Sequence, residues 1–194
     1  MYSILLDSSS SYLAVGIAKD NTLIKGVFYE AWQQQSEFMV VELNKLLTEL
    51  KISISEIDSV VVSIGPGSYT GVRISITIAK TLALALNVKI YAISSLWAEA
   101  CFDKPSICLI NARSSRSYIG VYHQDKCILK DQIMKNEDVL KYIENHKDFA
   151  ICGDVKYLGI TSDNVKVLEQ LAIMKNYLKP VENFLALKPI YMCD

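Results

Sequence analysis

The sequence predicts an α/β fold built as two lobes. Three strands come first along the 194 residues, and helices alternate with strands after them, an order typical of α/β proteins. The pattern partly repeats after Pro105, which gives a second and weaker set of strands and helices. We therefore expect a first lobe over residues 1–103 and a shortened second lobe over residues 104–194.

In the first lobe, strands are expected where apolar and β-branched residues run between polar turns. The predicted strands cover residues 2–7, 12–18, 22–29, 58–64 and 88–92. The predicted helices cover residues 36–50, 69–86 and 94–102. Ser53-Ile54-Ser55-Glu56 has the spacing of a capping box, which predicts a short helical turn before the fourth strand.

The second lobe repeats this order with less regular patterns. Its predicted strands cover residues 106–111, 117–122, 127–134 and 148–152. Its predicted helices cover residues 136–146 and 168–178. Residues 154–167 fit no single element and are left unassigned.

The most informative segment is Ile64–Arg73, which reads Ile-Gly-Pro-Gly-Ser-Tyr-Thr-Gly-Val-Arg. Gly-Pro-Gly breaks the preceding strand, and Ser68 or Thr70 can cap the helix that follows. Such a turn is either a tight packing turn or an anion site, because glycine permits close backbone approach and free N–H groups attract anions. The residues alone leave both interpretations open.

Residues 65–73, followed by Ala79-Lys80 and Leu82-Ala83, closely resemble the signature of the TsaB/YeaZ family. This family is the bacterial partner subunit in tRNA threonylcarbamoyladenosine synthesis. The likeness extends to residues 4–9, 109–113 and 188–191. The resemblance implies an actin-like ATPase fold (ASKHA, ribonuclease H-like) whose second lobe is truncated.

The resemblance also implies a non-catalytic scaffold that dimerises with a TsaD-like catalytic subunit and activates it. That subunit would modify adenosine next to the tRNA anticodon, and a TsaE-like ATPase would complete the assembly. Alone, the chain would form a homodimer, and it would meet tRNA only indirectly through the complex. No cofactor of its own is expected, with ATP or ADP entering at the level of the complex.

Two alternatives stay open beside the scaffold role. The first is an independent small enzyme of the same fold, either a phosphotransferase or a glycoprotease-like peptidase. The second is a homodimer with a separate role that uses the same helix surface.

Two predicted helices carry more apolar surface than packing on one sheet requires. Over residues 72–86 the apolar arc covers roughly half the circumference, whereas a surface helix needs a stripe only a little over about 100° wide. The residues assigned to the core face of this helix are Val72, Ile76, Ala79, Ala83 and Leu86. In the helix over 36–50, Val40 is assigned to the packed face with Met39.

Packing on two sides within the domain and a partner interface both explain this surplus, and the resemblance favours the interface. In TsaB-like proteins the first two helices form the dimer surface. The predicted partner-binding residues are Phe38, Val41, Arg73, Ile74, Ile78, Leu82 and Ala85. For Arg73, a partner carboxylate, a phosphate and solvent all stay open.

The patterns of several enzyme classes are missing from the sequence. Its two histidines, His123 and His146, lack the spacing of a metallohydrolase site, so both are expected to be structural or solvated. There is no Gly-x-Ser-x-Gly elbow, and the serine run 8–11 reads as a turn. Gln35-Ser36 stands where many relatives have His-Ser, so no role of that histidine carries over.

Nucleotide binding is expected to be vestigial. ASKHA ATPases hold phosphates between two glycine-bearing turns with an aspartate at each, but residues 7–11 and 111–115 contain no glycine. Asn111 also lacks the charge that attracts a divalent ion. The candidate vestigial phosphate-binding residues are Asp7, Ser8, Gly65, Gly67 and Ser68. Asp7 has the alternative of capping the serine turn.

Composition narrows the compartment and the partners. The formal net charge of −1 argues against a chain that grips nucleic acid alone. The five scattered cysteines predict buried reduced thiols in a cytoplasmic protein. No apolar run reaches the roughly 18 residues of a membrane span, and Asp7 interrupts the first one, so neither a span nor a signal peptide is expected.

Overall fold

Two β-sheets with helices on their faces organise the computed structural model, which describes residues 1–31, 33–163 and 166–192. The strands are β1 (Tyr2–Asp7), β2 (Tyr12–Lys19), β3 (Thr22–Glu30), β4 (Ile57–Ser63), β5 (Lys89–Ile93), β6 (Ser106–Arg113), β7 (Arg116–His123), β8 (Lys126–Lys135) and β9 (Ala150–Gly153). The α-helices are α1 (Gln35–Leu50), α2 (Tyr69–Leu86), α3 (Ser95–Ala98), α4 (Asn136–Glu144) and α5 (Val167–Met174). Short 3₁₀ turns cover Ile54–Glu56, Lys156–Leu158 and Phe184–Ala186.

The first sheet has the strand order β3-β2-β1-β4-β5, with β1 antiparallel to β2 and parallel to β4. Its central strands are buried on both faces because helices cover both sides. Ile4 and Leu6 pack with residues of α1 and α2, whereas Leu5 packs with residues of α5. A strand buried on both faces reads as a continuous apolar run, which is why β1 and β4 were readable from the sequence.

The second sheet, in the order β8-β7-β6-β9, repeats the first without its fifth strand. β6 is antiparallel to β7 and parallel to β9, as β1 is to β2 and β4. The short helix α3 lies between the sheets, because Ala98 packs with the core of the first and Leu96 with that of the second. The two-lobed α/β organisation therefore follows from one repeated strand order.

The predicted helix over 94–102 is wrong in its second half, since α3 ends at Ala98. Ser94 caps it by accepting from the N–H groups of Leu96 and Trp97. The chain then turns toward β6, and the N–H of Cys101 donates to the Ser106 hydroxyl at 3.1 Å instead of continuing the helix.

The ends of two other predicted helices also differ. α4 stops at Glu144 rather than 146, and α5 stops at Met174 rather than 178. Residues 154–167, which the sequence left unassigned, include the 3₁₀ turn Lys156–Leu158, while residues 164 and 165 lie outside the described part.

The last part of the chain packs against the first sheet. α5 contacts β1, β2 and β3, and residues 181–191, which we call the C-terminal strap, cross the lobe beyond it. The N–H of Val181 donates to the carbonyl of Ile90 at 2.8 Å, and the N–H of Ile190 donates to that of Ile64 at 2.7 Å. The division expected at residues 103 and 104 stays a prediction, and these contacts tie the strap to the first lobe.

Candidate functional site

The glycine turn and the serine turn touch each other through their backbones. A Cβ at Gly67 would lie 2.3 Å from the Ser9 carbonyl oxygen, and one at Gly71 would lie 1.8 Å from that of Ser8. In this space the N–H of Ser68 donates to the Ser9 carbonyl at 2.6 Å, and the Ser8 hydroxyl donates to the Gly71 carbonyl at 2.8 Å. These glycines therefore permit a packing contact, the first of the two interpretations of the motif.

Gly65 serves a second close approach, toward the C-terminal strap. Its φ is +99°, and a Cβ there would lie 2.7 Å from the carbonyl oxygen of Ile190. Its N–H donates to the Ser95 hydroxyl at 2.9 Å, and the N–H of Ser95 donates to its carbonyl at 2.8 Å. The segments around residues 7, 65–73 and 190 therefore meet at one end of the first sheet.

The candidate phosphate-binding side chains are occupied by bonds within the chain. Asp7 is buried and accepts from the N–H of Ser9 at 3.0 Å and from the Ser63 hydroxyl. Ser68 caps α2 by accepting from the N–H of Gly71 at 3.2 Å. These bonds agree with the turn-capping alternative for Asp7, and phosphate binding stays a prediction.

The second predicted phosphate turn adopts a strained conformation without glycine. Arg113, Ser114 and Ser115 have φ values of 64°, 50° and 57°, a left-handed region that favours glycine. The exposed Asn111 accepts from the N–H of Arg113 at 2.8 Å through its side-chain oxygen. Its amide therefore stabilises the turn itself.

Sequence reasoning missed an acidic group between the lobes. Burial, together with the nearby charges of Asp7, Cys152 and Asp154, raises the pKa of Glu99 to about 8. A pKa in this range favours the protonated form of Glu99 at neutral pH. No sequence signal could have revealed it, because its neighbours come from segments far apart in the chain. Among the described residues, no group of three or more His, Cys, Asp or Glu side chains could hold a metal ion.

The cysteines are placed unequally. Cys108 and Cys152 are buried, and Cys101 is half-buried. The Sγ atoms of Cys101 and Cys152 lie 3.6 Å apart. Hydrogen bonds, first from Cys108, lower the pKa of Cys152 to about 7. The expectation of buried thiols is wrong for Cys127, which lies exposed on the edge strand β8, and Cys193 is outside the described residues.

An open groove of about 450 Å³ separates α1 from α2. Its lining residues are Ser36, Val40, Tyr69, Thr70, Arg73, Ile74, Thr77 and Ile78. The expectation that Val40 packs in the core is wrong, because the groove leaves it 52% exposed. The groove joins exposed apolar side chains from two helices at the surface predicted to bind a partner.

The predicted partner-binding residues divide into three groups. Arg73, Ile74 and Ile78 line the groove. Phe38 and Leu82 are half-buried and pack against the core of the first lobe, as Ile74 and Ile78 also do. Val41 and Ala85 are exposed beside them. Leu84, which the sequence analysis did not select, is 65% exposed.

Comparison with known proteins places this chain in a family. A model of the TsaD family, described as tRNA N6-adenosine threonylcarbamoyltransferase, matches residues 27–184, which is more than half of the chain. Relatives named tRNA threonylcarbamoyladenosine biosynthesis protein TsaB are similar to it in sequence, and similar solved structures include YeaZ from Pseudomonas aeruginosa, with a TM-score of 0.82. The chain belongs to the TsaB/YeaZ family.

Sequence identity and coverage show how similar the chain is to members of the TsaB/YeaZ family. The chain is 32% identical to TsaB of Bacillus subtilis over 144 residues, which cover 72% of this chain and 62% of that protein. It is 28% identical to TsaB of Buchnera aphidicola from Schizaphis graminum over 196 residues, covering 93% of this chain and 90% of that protein. The YeaZ structure is 19% identical and covers 98% of this chain and 99% of its own, which confirms the expected actin-like fold.

The sequence analysis of this TsaB/YeaZ chain expected no membrane span, and the helices of the structure can be compared with that expectation. Within residues 1–31, 33–163 and 166–192, no helix has both the length and the apolar character needed to cross a bilayer.

Replacing Gly71 with Ala should lower the free energy of unfolding by about 1–3 kcal/mol, because the new Cβ would displace the Ser8 carbonyl. Helix propensity alone predicts the opposite, a gain of roughly 0.5–1 kcal/mol. Urea denaturation measures the change. Thr70→Ala, at an exposed position in the same turn, is the control and should stay within about 0.5 kcal/mol of wild type. A Gly71→Ala variant as stable as wild type would refute the contact.

The free energy of unfolding should fall as the pH rises from 5 to 7. In this range folded Glu99 keeps a proton that the unfolded chain, with the ordinary value of 4.5, has released. This group contributes at most about 1.4 kcal/mol per pH unit. The window ends at pH 7, because Cys152, with a pKa of about 7, contributes with the opposite sign above it. Denaturation across this range should show a flatter dependence for Glu99→Gln, and identical slopes would contradict the assignment.

Proposed function

We propose that this chain is a non-catalytic subunit that binds a TsaD-like catalytic subunit and holds it in an active conformation. The complex would transfer the threonylcarbamoyl group to adenosine next to the tRNA anticodon. The observation that carries the proposal is the groove between α1 and α2, where apolar side chains of both helices lie open to solvent.

The composition of this surface supports a protein partner. Exposed apolar area costs roughly 25 cal/mol per Å², so a cluster of it on one face usually marks an interaction site. The groove combines aliphatic residues with Tyr69, which is 58% exposed, and Arg73. Tyrosine and arginine are enriched at protein interfaces, whereas the groove lacks the several cations that RNA binding requires.

The absence of catalysis by the chain alone is supported by its two turns. In one, Asp7 Oδ1 accepts from the N–H of Ser9, and the Ser8 hydroxyl donates to the carbonyl of Gly71. In the other, Asn111 brings no charge to a metal and no glycine opens the loop. A nucleotide would then act at the level of the complex, and the chemistry would belong to the partner.

The same surface would explain the proposed assembly. Without its partner, the chain would pair with a second copy across a two-fold axis, the commonest geometry for a dimer. A TsaE-like ATPase would complete the complex, and tRNA would be held mainly by other subunits, since this chain has a net charge of −1. The proposed place of action is the cytoplasm.

A single charge in the groove should abolish both associations while leaving the fold intact. Ile74 and Ile78 line the groove and are only partly buried, so Ile74→Glu and Ile78→Glu should fold normally. An unpaired carboxylate buried at the interface should weaken binding by more than about a hundredfold. Titration calorimetry measures the affinity for the TsaD-like subunit, and light scattering measures dimerisation. Circular dichroism shows whether the fold is intact.

The control is Ala79→Glu, one position from Ile78 but completely buried on the core face of α2. This variant should unfold the first lobe. If the isoleucine variants unfold and Ala79→Glu only loses binding, the two faces of α2 have been exchanged. If all three keep full affinity, the groove is not the interface.

The purified chain should hydrolyse neither ATP nor peptides above background. The reason is that the side chains of Asp7 and Ser8 are already bonded within the serine turn and to its neighbours. Asp7→Asn is the informative variant, because the amide oxygen can still accept from the N–H of Ser9. Turnover that purifies with the chain and disappears in Asp7→Asn would favour the independent-enzyme alternative.

A further inference from the structure

We infer that Arg73, held by contacts with Tyr69 and Tyr191, forms a preorganised binding site for a carboxylate of the partner subunit, so that the C-terminal strap is part of the docking surface. This inference rests on the proposed function. It adds the chemistry of the partner, a segment that carries an aspartate or glutamate beside apolar side chains, and a role for residues at the end of the chain.

The guanidinium is held by two aromatic rings. Its carbon lies 4.0 Å from the ring centroid of Tyr69 and 5.7 Å from that of Tyr191, and its Nε donates to the Tyr191 hydroxyl at 2.6 Å. The rings themselves stack, with centroids 5.2 Å apart and planes 27° from parallel. A long flexible side chain is thereby restricted before any partner arrives, which reduces the entropy lost on binding.

Within the part of the chain that the structure describes, the charge held in this way has no acidic partner. Among residues 1–31, 33–163 and 166–192, no carboxylate lies within 4 Å of the Arg73 guanidinium, and its hydrogen bond to Tyr191 uses Nε alone. The two terminal nitrogens are therefore available. Their fork matches the two oxygens of a carboxylate, and such bidentate pairs are stronger than ordinary hydrogen bonds.

The surroundings decide which ligand fits. Among the described residues that line the groove, Arg73 is the single charged one, and its neighbours there include Ile74 and Ile78. A polyanion such as RNA is bound by several cations acting together, which this surface does not offer. An acidic side chain flanked by apolar ones satisfies both the charge and the groove.

The strap places Tyr191 against Arg73, although 118 residues separate them in the sequence. Its neighbour Ile190 is fixed by the backbone bond to Ile64, and upstream the Lys80 ammonium donates to the Leu185 carbonyl at 2.9 Å. Gly65 leaves the space that the Ile190 carbonyl occupies. The glycine turn and the strap therefore act together to position the arginine.

The test measures the affinity of the full chain for the cognate TsaD-like subunit by titration calorimetry. Arg73→Gln should weaken binding by roughly tenfold or more, and Arg73→Lys by nearly as much, since lysine keeps the charge but not the fork. Tyr191→Phe, which keeps the ring and loses the hydroxyl, should show a smaller loss than Tyr191→Ala. Lys147→Gln removes an exposed charge from the second lobe and should bind like wild type.

Each other outcome has a definite meaning, with folding of every variant checked by urea denaturation. If wild type itself fails to bind, the proposed function and this inference are both overturned. If Ile78→Glu abolishes binding while the Arg73 and Tyr191 variants bind like wild type, only this inference is overturned. If those variants keep full affinity for the subunit but weaken tRNA binding by the assembled complex, Arg73 contacts phosphate instead, and the carboxylate assignment is wrong.

Discussion

The position of α2 depends on the contact between the glycine turn and the serine turn. At Gly67 and Gly71 there is no room for a Cβ, because the carbonyl groups of Ser9 and Ser8 occupy that space. The resulting bonds fix the start of α2 against the end of β1. Since a helix is rigid over its length, this contact also determines where its outer face, with Ile74 and Ile78, lies relative to α1. The groove is thus a consequence of a packing contact that engages polar groups of the serine turn.

The same turn organises the far end of the chain. Gly65 accommodates the carbonyl of Ile190, and this contact positions the strap so that Tyr191 reaches Arg73. The residues of the glycine turn, taken alone, suited either an anion site or close packing. In the structure the turn packs against three neighbours: the serine turn, α3 through Ser95, and the strap. In an actin-like fold this arrangement suits a subunit that presents a surface to a partner.

The sequence was most informative where local signals agreed. The bounds of α2, Tyr69–Leu86, were predicted because a long apolar pattern follows two candidate caps, Ser68 and Thr70, of which the structure uses Ser68. The apolar surplus of the same helix, together with the family resemblance, predicted that Ile74 and Ile78 bind a partner. Both line the groove, and their role stays a prediction. Predictions failed where a tertiary contact overrides the local pattern, as when Ser106 takes the N–H of Cys101 and ends α3 early. Glu99 and the Arg73–Tyr191 pair could not be predicted, since each combines residues from distant segments.

Hydrogen–deuterium exchange of the chain, alone and mixed with the TsaD-like subunit, tests the docking surface most directly. If the groove is the docking surface, we expect slower exchange on mixing in α1, in the first three turns of α2 and in the last residues of the strap. Exchange in β6 to β9 should not change. Protection confined to the turns at residues 7–11 and 111–115, with α1 and α2 unaffected, would contradict the groove as the docking surface. The partner would then bind between the lobes.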